Sequence, residues 1–355
     1  MKKTVPLACL LTALLPLAGC DKIKDVPILT RIVAKNVCDG IFISGQDNDA
    51  TSKDVAGFAP PLKNSWQINV DTAAARVTVR NQWFTFFPQQ TAELADSDLQ
   101  HGCQLRFADI ATPTPVPLPV PGIGYSFAED LQKYAGLQAY IESVAAKEDA
   151  AHTTALLVIH KDTIVGETYR DGLTSTAPIK GFSMSKSIAN LLVGRKVDQH
   201  KLDTSQPMPI AVWQNDNRAD ISWNNSLQMS SGLGWNEAAI GKNNDQTQML
   251  YAATDPSRYA LEKPAIAVAG TKFNYSSGDF MNIATALVDE FPDWFDPGWD
   301  LGGHFSMEFT PDGHYPLLPE GVALPLRGWA QAISLYTHAG KLGETQILSP
   351  AWVKY

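Results

Sequence analysis

Gly181-Phe182-Ser183-Met184-Ser185-Lys186-Ser187 is the stretch on which the reading of this chain turns. Ser183 and Lys186 stand three residues apart, and if a helix starts here that spacing puts hydroxyl and amine on one face, one turn from each other. The first turn of a helix carries the positive end of the backbone dipole, which favours an attacking alkoxide. A lysine held beside that serine in a partly desolvated cleft is able to take its proton. Ile188, Leu191, Leu192 and Val197 follow at helical spacing. The same residues also read as an N-cap serine followed by a solvated lysine, and Ser-x-x-Lys alone does not decide between the two.

The chain has 355 residues, 45% of them hydrophobic and 18% charged, which is enough apolar side chain for one large or two modest domains. Its net charge is −9 and no basic run stands out, which argues against a nucleic-acid partner. Lys2 and Lys3 followed by the apolar stretch Val5 to Leu17 read as a targeting segment, too short to span a bilayer as a mature helix. The segment ends Leu17-Ala18-Gly19-Cys20, which resembles the lipobox of a bacterial lipoprotein. That resemblance implies a signal peptide over residues 1–19, cleavage before Cys20, acylation of Cys20 and attachment to a membrane by lipid chains. Asp21 next to it implies retention in the inner membrane, facing the periplasm. The alternative is an ordinary cleaved signal with a chance cysteine. Cys9 leaves with the signal, so Cys38 and Cys103 remain in an oxidising compartment and a disulfide is the natural pairing. No Cys/His cluster has zinc-ligand spacing; neither a metal nor another cofactor is expected.

Residues 20–111 read as a small, mainly β module with little core of its own, for which a disulfide staple is natural. Within it, residues 21–35 show no clear period, Ile41 to Ser44 is a short apolar run stopped by Gly45, and Arg76 to Arg80 alternates as a half-buried strand does. Prolines at 113, 115, 117, 119 and 121 make residues 112–124 an extended connection, either a spacer or a strap over the next domain. The domain from 125 to 355 opens with a helix over Phe127–Asp149, with Tyr134, Leu137, Ile141 and Val144 on one face. A β-hairpin follows, Ala155–His160 and Thr163–Tyr169 around Lys161-Asp162. Beyond the Ser183 helix, Asp203 to Pro264 reads as helices and loops, including a helix over Ile221–Leu233 that Gly232 stops. Tyr275, displayed on a turn just before another helix, is a candidate base, or a structural tyrosine whose hydroxyl ties down a loop.

Taken in order, these elements resemble the serine β-lactamase and penicillin-recognising fold, and within it the 6-aminohexanoate-dimer hydrolase-like and class C-like serine hydrolases. Ser183-Met184-Ser185-Lys186 matches that family's first motif, and Tyr275-Ser276-Ser277 stands where its second, Tyr-x-Asn or Tyr-x-Ser, belongs. Leu227 to Leu233 resembles the helix end found between the two motifs, and Cys38 to Gly45 with Gly102-Cys103 resembles the amino-terminal extension of lipoprotein-like members. The resemblance implies an α+β fold, an antiparallel sheet with a helical insertion, preceded by the small β-rich module. It implies an acyl-enzyme on Ser183, a base system of Lys186 and Tyr275, and an oxyanion donor in the backbone N–H of Ser183. Ser277 and Trp235 are its candidate substrate-binding residues, and the substrate is a small-molecule or peptide amide or ester. Ser277 at the third motif position sides with amide and ester hydrolases rather than with β-lactamases.

The family's third motif, Lys/His-x-Gly on a strand beside the nucleophile, has a match in letters at His338-Ala339-Gly340. Its context is wrong, because Trp329 to Tyr336 reads as an amphipathic helix that Gly340 stops. The chain is therefore expected to lack the last three strands, the final helix and the third motif, leaving only the 155–169 hairpin of a five-stranded sheet. On that view the hairpin has an unpaired edge and an uncovered face, the 127–149 helix keeps a wet apolar stripe, and the chain is poorly stable and inactive. A non-catalytic member of the same fold that binds peptidoglycan or a peptide is the second reading, and an inactive truncated gene product the third. An α/β-hydrolase is disfavoured, since Gly181 to Ser185 lacks the final glycine of Gly-x-Ser-x-Gly.

Overall fold

Val26, Thr30, Val33, Ala34, Val37 and Cys38 recur at helical spacing and are buried along one side of helix α1, Val26–Cys38, which Pro27 opens. The computed structural model describes residues 23–57, 62, 64–96, 99–111, 113–115, 117–119, 123–147, 153–170, 172–237 and 243–355. The expected signal peptide, Cys20 and Asp21 lie outside them. α1 corrects the sequence reading, which found no period before residue 35. The apolar run at Ile41 is not a strand either: Asp39–Ile43 is a π-helical turn continuing α1, and Gly45 ends it at φ +73°. A short apolar run reads as strand or helix alike, and here the helix it extends decides.

Helix α2 (Asn48–Gly57) leads to a four-stranded antiparallel meander of β1 (Trp66–Asp71), β2 (Arg76–Asn81), β3 (Gln90–Leu94) and β4 (Cys103–Leu105). β2 alternates as expected, with Val77 and Val79 inward. These valines, Ala92 and Leu105 meet Val33, Ala34 and Val37 of α1, so the module has a core of its own, contrary to the expectation of little core. The Cys38–Cys103 disulfide joins the end of α1 to β4, with the Cα atoms 6.1 Å apart. Two residues from the following domain, Tyr251 and Ala323, complete that core.

The proline-rich connection is a strap. Leu118 is buried in the core of the following domain, and its N–H donates to the Gln100 carboxamide at 3.1 Å.

Strand β5 (Ala128–Glu129) runs parallel to residues 163–164 of a later strand, and helix α3 begins only at Ala135, ending at Ala145. The helix expected from Phe127 is therefore shorter, because residues 128–129 pair in a sheet. β6 (Ala155–His160) and β7 (Thr163–Tyr169) form the expected hairpin about Lys161 and Asp162, at φ +50° and +58°, with an irregularity between Val158 and Ile159. The sheet has three strands in the order β5-β7-β6, one more than the bare hairpin expected. The stripe expected to stay wet is largely covered: Ile141 is buried, Tyr134, Leu137 and Val144 are half-buried, and Gly166 of β7 leaves room for Ile141, whose Cδ1 would lie 2.9 Å from a Cβ there. Among the described residues, β6 pairs on one edge only.

A second antiparallel sheet orders β8 (Ile179–Lys180), β10 (Val322–Leu324) and β9 (Ser306–Met307) with β10 central. Helix α4 (Ser185–Asp198) is buried through Ile188, Leu191, Leu192 and Val193. Between Asp203 and Pro264 the described residues form no strand, and helices α5 (Trp223–Leu227), α6 (Asp245–Tyr251) and α7 (Pro256–Leu261) follow one another. α5 stops well short of the expected Leu233. Met229 turns to φ +50°, and the Gly232 carbonyl accepts the N–H groups of Ile266 and Ala267, so this segment leaves the helix to pair with 265–267. Helix α8 (Ser277–Glu290) crosses the core. Helix α9 (Leu326–Thr337) ends as expected, with Gly340 at φ +86° and its N–H on the Leu335 carbonyl. A two-stranded ribbon of β11 (Lys341–Leu342) and β12 (Thr345–Gln346) and helix α10 (Pro350–Lys354) follow.

Candidate active site

Ser183 sits in a single 3-10 turn, Phe182–Met184, that feeds directly into α4. β10 fixes this turn from both sides: the Gly181 N–H donates to the Val322 carbonyl at 2.9 Å, and the Val322 N–H donates to Ser185 Oγ at 3.0 Å. Gly181 is required because a Cβ would lie 2.1 Å from the Trp329 ring, whose indole N–H donates to the Ile179 carbonyl. Phe182, the residue before the serine, is held at φ +46°. A non-glycine residue there stores on the order of 1–3 kcal/mol of strain, which persists only where the surroundings over-determine it.

Lys186, 6% exposed, points back at Ser183. Its Nζ lies 3.2 Å from Ser183 Oγ, 3.2 Å from Ser277 Oγ and 2.9 Å from the Pro319 carbonyl. The ring faces of Tyr275 and Phe280 stand 5.2 Å and 5.9 Å from the same nitrogen. The structure thus joins the two sequence motifs: the 3-10 turn supplies Ser183, α4 supplies Lys186, and the start of α8 supplies Ser277, with Tyr275 on the turn before it. Ser276 caps α8 by accepting the Asp279 N–H at 2.9 Å. Tyr275 itself is 43% exposed.

Two partners in this site have no sequence signature. One is the Pro319 carbonyl, a backbone atom. The other is Glu237, whose Oε1 accepts the Ser277 hydroxyl at 2.8 Å and whose Oε2 accepts the Ser277 N–H at 2.7 Å. The Trp235 indole N–H also donates to Oε2, at 2.7 Å. Trp235 is buried against Gly278, where a Cβ would lie 2.7 Å from its ring, so it backs the site instead of lining an open cleft. His338 stands at the end of α9 and pairs with Asp162 at 3.1 Å, away from the Ser183 network, as its helical context implied.

Just before the nucleophile turn, Lys180 belongs to a buried set of two cations and two anions. Asp39 lies 2.9 Å from both Lys35 and Lys180, and Glu308 lies 2.5 Å from Lys35 and 2.8 Å from Lys180. Burial pushes the Asp39 carboxyl up, but Lys180 and Lys35 outweigh it and hold it at about 2. Glu308 is raised, by burial and by the charge of Asp39. Lys180 also stands over the Phe182 ring, 5.4 Å from its centroid. The amino-terminal module therefore grips β8, the strand that leads into the Ser183 turn.

Residues 137–291 match the Beta-lactamase family model. Among solved structures, the chain is similar to a candidate 6-aminohexanoate-dimer hydrolase from Bacillus anthracis, at 16% identity and a TM-score of 0.51, over 65% of this chain and 67% of that one. It is also similar to a candidate β-lactamase from Bacteroides dorei DSM 17855, at 20% identity and a TM-score of 0.47, over 62% of this chain and 68% of that one. A penicillin-binding protein homologue from Caulobacter crescentus aligns at 15% identity and a TM-score of 0.42, over 65% of this chain and 76% of that one. A comparison with curated proteins gave no match. The fold is α+β and β-lactamase-like. Residues 137–291, the part that resembles that family, hold the nucleophile turn, α4 and the start of α8.

Proposed function

We propose that this protein cleaves an amide or ester bond through an acyl-enzyme on Ser183, and that Cys20 anchors it to the inner membrane by lipid so that it faces the periplasm. The observation that carries the first part is the 3.2 Å contact between Lys186 Nζ and Ser183 Oγ at the start of α4. Ser183 Oγ attacks the carbonyl carbon and passes its proton to Lys186 Nζ. The oxyanion of the tetrahedral intermediate lies against the N–H of Ser183 at the positive end of α4. As the intermediate collapses, the C–N or C–O bond breaks and the leaving group takes a proton, delivered from Lys186 through the Tyr275 hydroxyl. Water then attacks the acyl carbonyl, surrenders a proton to the same base, and releases the acid with Ser183 restored. The substrate is a small molecule or peptide bearing an amide or ester.

A fluorophosphonate probe, followed by peptide mapping, tests the assignment. The phosphonate should sit on Ser183 and be absent from Ser183→Ala. A label on another serine, or none on a folded protein, sinks the reading. The anchor is tested by palmitate incorporation in a Gram-negative host, which Cys20→Ala should abolish; unchanged incorporation rejects it.

A further inference from the structure

The hydrogen-bond roles around Lys186 are not free, and the residue that fixes them is one to which no role attaches so far. A neutral lysine has two N–H donors and one lone pair, and only the lone pair can receive the serine proton. Three groups surround Nζ: Ser183 Oγ, Ser277 Oγ and the Pro319 carbonyl. The carbonyl can only accept, so it takes one N–H. Either hydroxyl is able to accept or to donate. If Ser277 donated to Lys186, it would occupy the lone pair and leave Ser183 without a base.

Glu237 removes that possibility. Its Oε1 accepts the Ser277 hydroxyl proton at 2.8 Å, while its Oε2 is held by the Ser277 N–H and the Trp235 indole N–H, both at 2.7 Å. A carboxylate can only accept, so the Ser277 proton points away from the lysine and Ser277 Oγ is left as an acceptor for the second lysine N–H. The lone pair then has one remaining neighbour, Ser183. We infer that Glu237 is a positioning residue that sets the Ser277 hydroxyl as an acceptor and so aims the Lys186 lone pair at the nucleophile. This rests on the reading of Ser183 and Lys186 as nucleophile and base.

Glu237→Gln tests it with little change of shape. Oε2 has two N–H donors to satisfy, so the amide oxygen stays there and the amide nitrogen takes the place of Oε1. That nitrogen donates to Ser277 Oγ and turns the hydroxyl proton onto Lys186. With a p-nitrophenyl ester as probe, kcat should fall about 10- to 100-fold, a part of what a positioned base contributes, with KM little changed. In a Ser277→Ala background the same substitution should have no further effect, because its route is gone. An unchanged kcat in Glu237→Gln, or a loss in the double variant equal to the sum of the singles, overturns the inference. Wild-type protein that takes no acyl group on Ser183 fails the functional reading instead. In that case neutron diffraction decides the inference directly: deuterium between Ser277 Oγ and Glu237 supports it, and deuterium between Ser277 Oγ and Lys186 Nζ refutes it.

Discussion

Lys186 lies over the face of the Tyr275 ring, 5.2 Å from its centroid, and its hydrogen-bond partners are Ser183, Ser277 and Pro319. Tyr275 thus presents its ring face to Lys186, and on the proposed mechanism its hydroxyl is the proton donor to the leaving group. Tyr275→Phe keeps the ring and should lower turnover of alkyl esters and amides by about 10²–10⁴, the range for a positioned proton donor. Turnover of p-nitrophenyl esters, whose leaving group departs without a proton, should fall far less. Equal losses on both substrate types would place the hydroxyl in the attack step instead.

The buried quartet of Lys35, Asp39, Lys180 and Glu308 is balanced in charge, and each member contacts both opposite charges. Lys180→Met leaves two buried carboxylates facing one lysine, and should cost about 3–5 kcal/mol in urea unfolding. Removing Glu308 as well, as Lys180→Met with Glu308→Gln, should recover part of that loss. Simple addition of the two single losses would mean that the four charges are not coupled.

Asp279 is buried in the first turn of α8, where it accepts the Ser231 hydroxyl at 2.7 Å while its Oδ2 has no hydrogen-bond partner among the described residues. Burial outweighs these hydrogen bonds and pushes its carboxyl up from 3.8 to about 7. A carboxyl raised in the folded state contributes stability that is fully present below its unfolded value and is lost as pH rises through the folded one. The window is thus from near pH 4 to near pH 7, and at about 1.4 kcal/mol per unit the loss is on the order of a few kcal/mol. Asp279→Asn should flatten the stability profile across this window and raise stability at pH 8. A wild-type profile already flat from pH 4 to 7 would contradict it.

The Cys38–Cys103 bridge closes a loop with a sequence separation of 65 residues between the end of α1 and the edge strand β4. Losing such a bridge typically costs about 2–5 kcal/mol. The Cys38→Ser, Cys103→Ser double variant should show a lower urea midpoint by that amount, and wild type should match it once reduced. Two free thiols titrated in denaturant without reductant would refute the pairing in solution.

Much of this site could be read from the sequence because its chemistry is local in the chain. Ser183 and Lys186 share one helical turn, and Tyr275 and Ser277 sit at a helix start that Ser276 caps. Glu237 and Pro319 were not legible. One reaches the site from a loop 40 residues before Ser277, and the other contributes only its carbonyl, which no side chain announces. In the amino-terminal module the alternation of Val77 and Val79 gave a strand away, whereas α1 was missed. Its buried face includes Thr30 and Lys35, and a buried lysine makes sense only once Asp39 and Glu308 are known to meet it. Helices expected over 127–149 and 221–233 came out short for the same reason. Ala128 and Gly232 are claimed by backbone partners at residues 163 and 266, which local periodicity does not see.

Leu118 of the strap lies in the interior of the domain that follows it, while Tyr251 and Ala323 of that domain lie in the interior of the amino-terminal module. The larger domain thus finishes the module's dry interior, and the covalent link through the strap is not all that holds the two together. A protease cut within residues 112–124 should leave one particle in gel filtration and a single calorimetric peak. The module is then no passenger carried on a tether, and a redesign of it has to carry Tyr251 and Ala323 along.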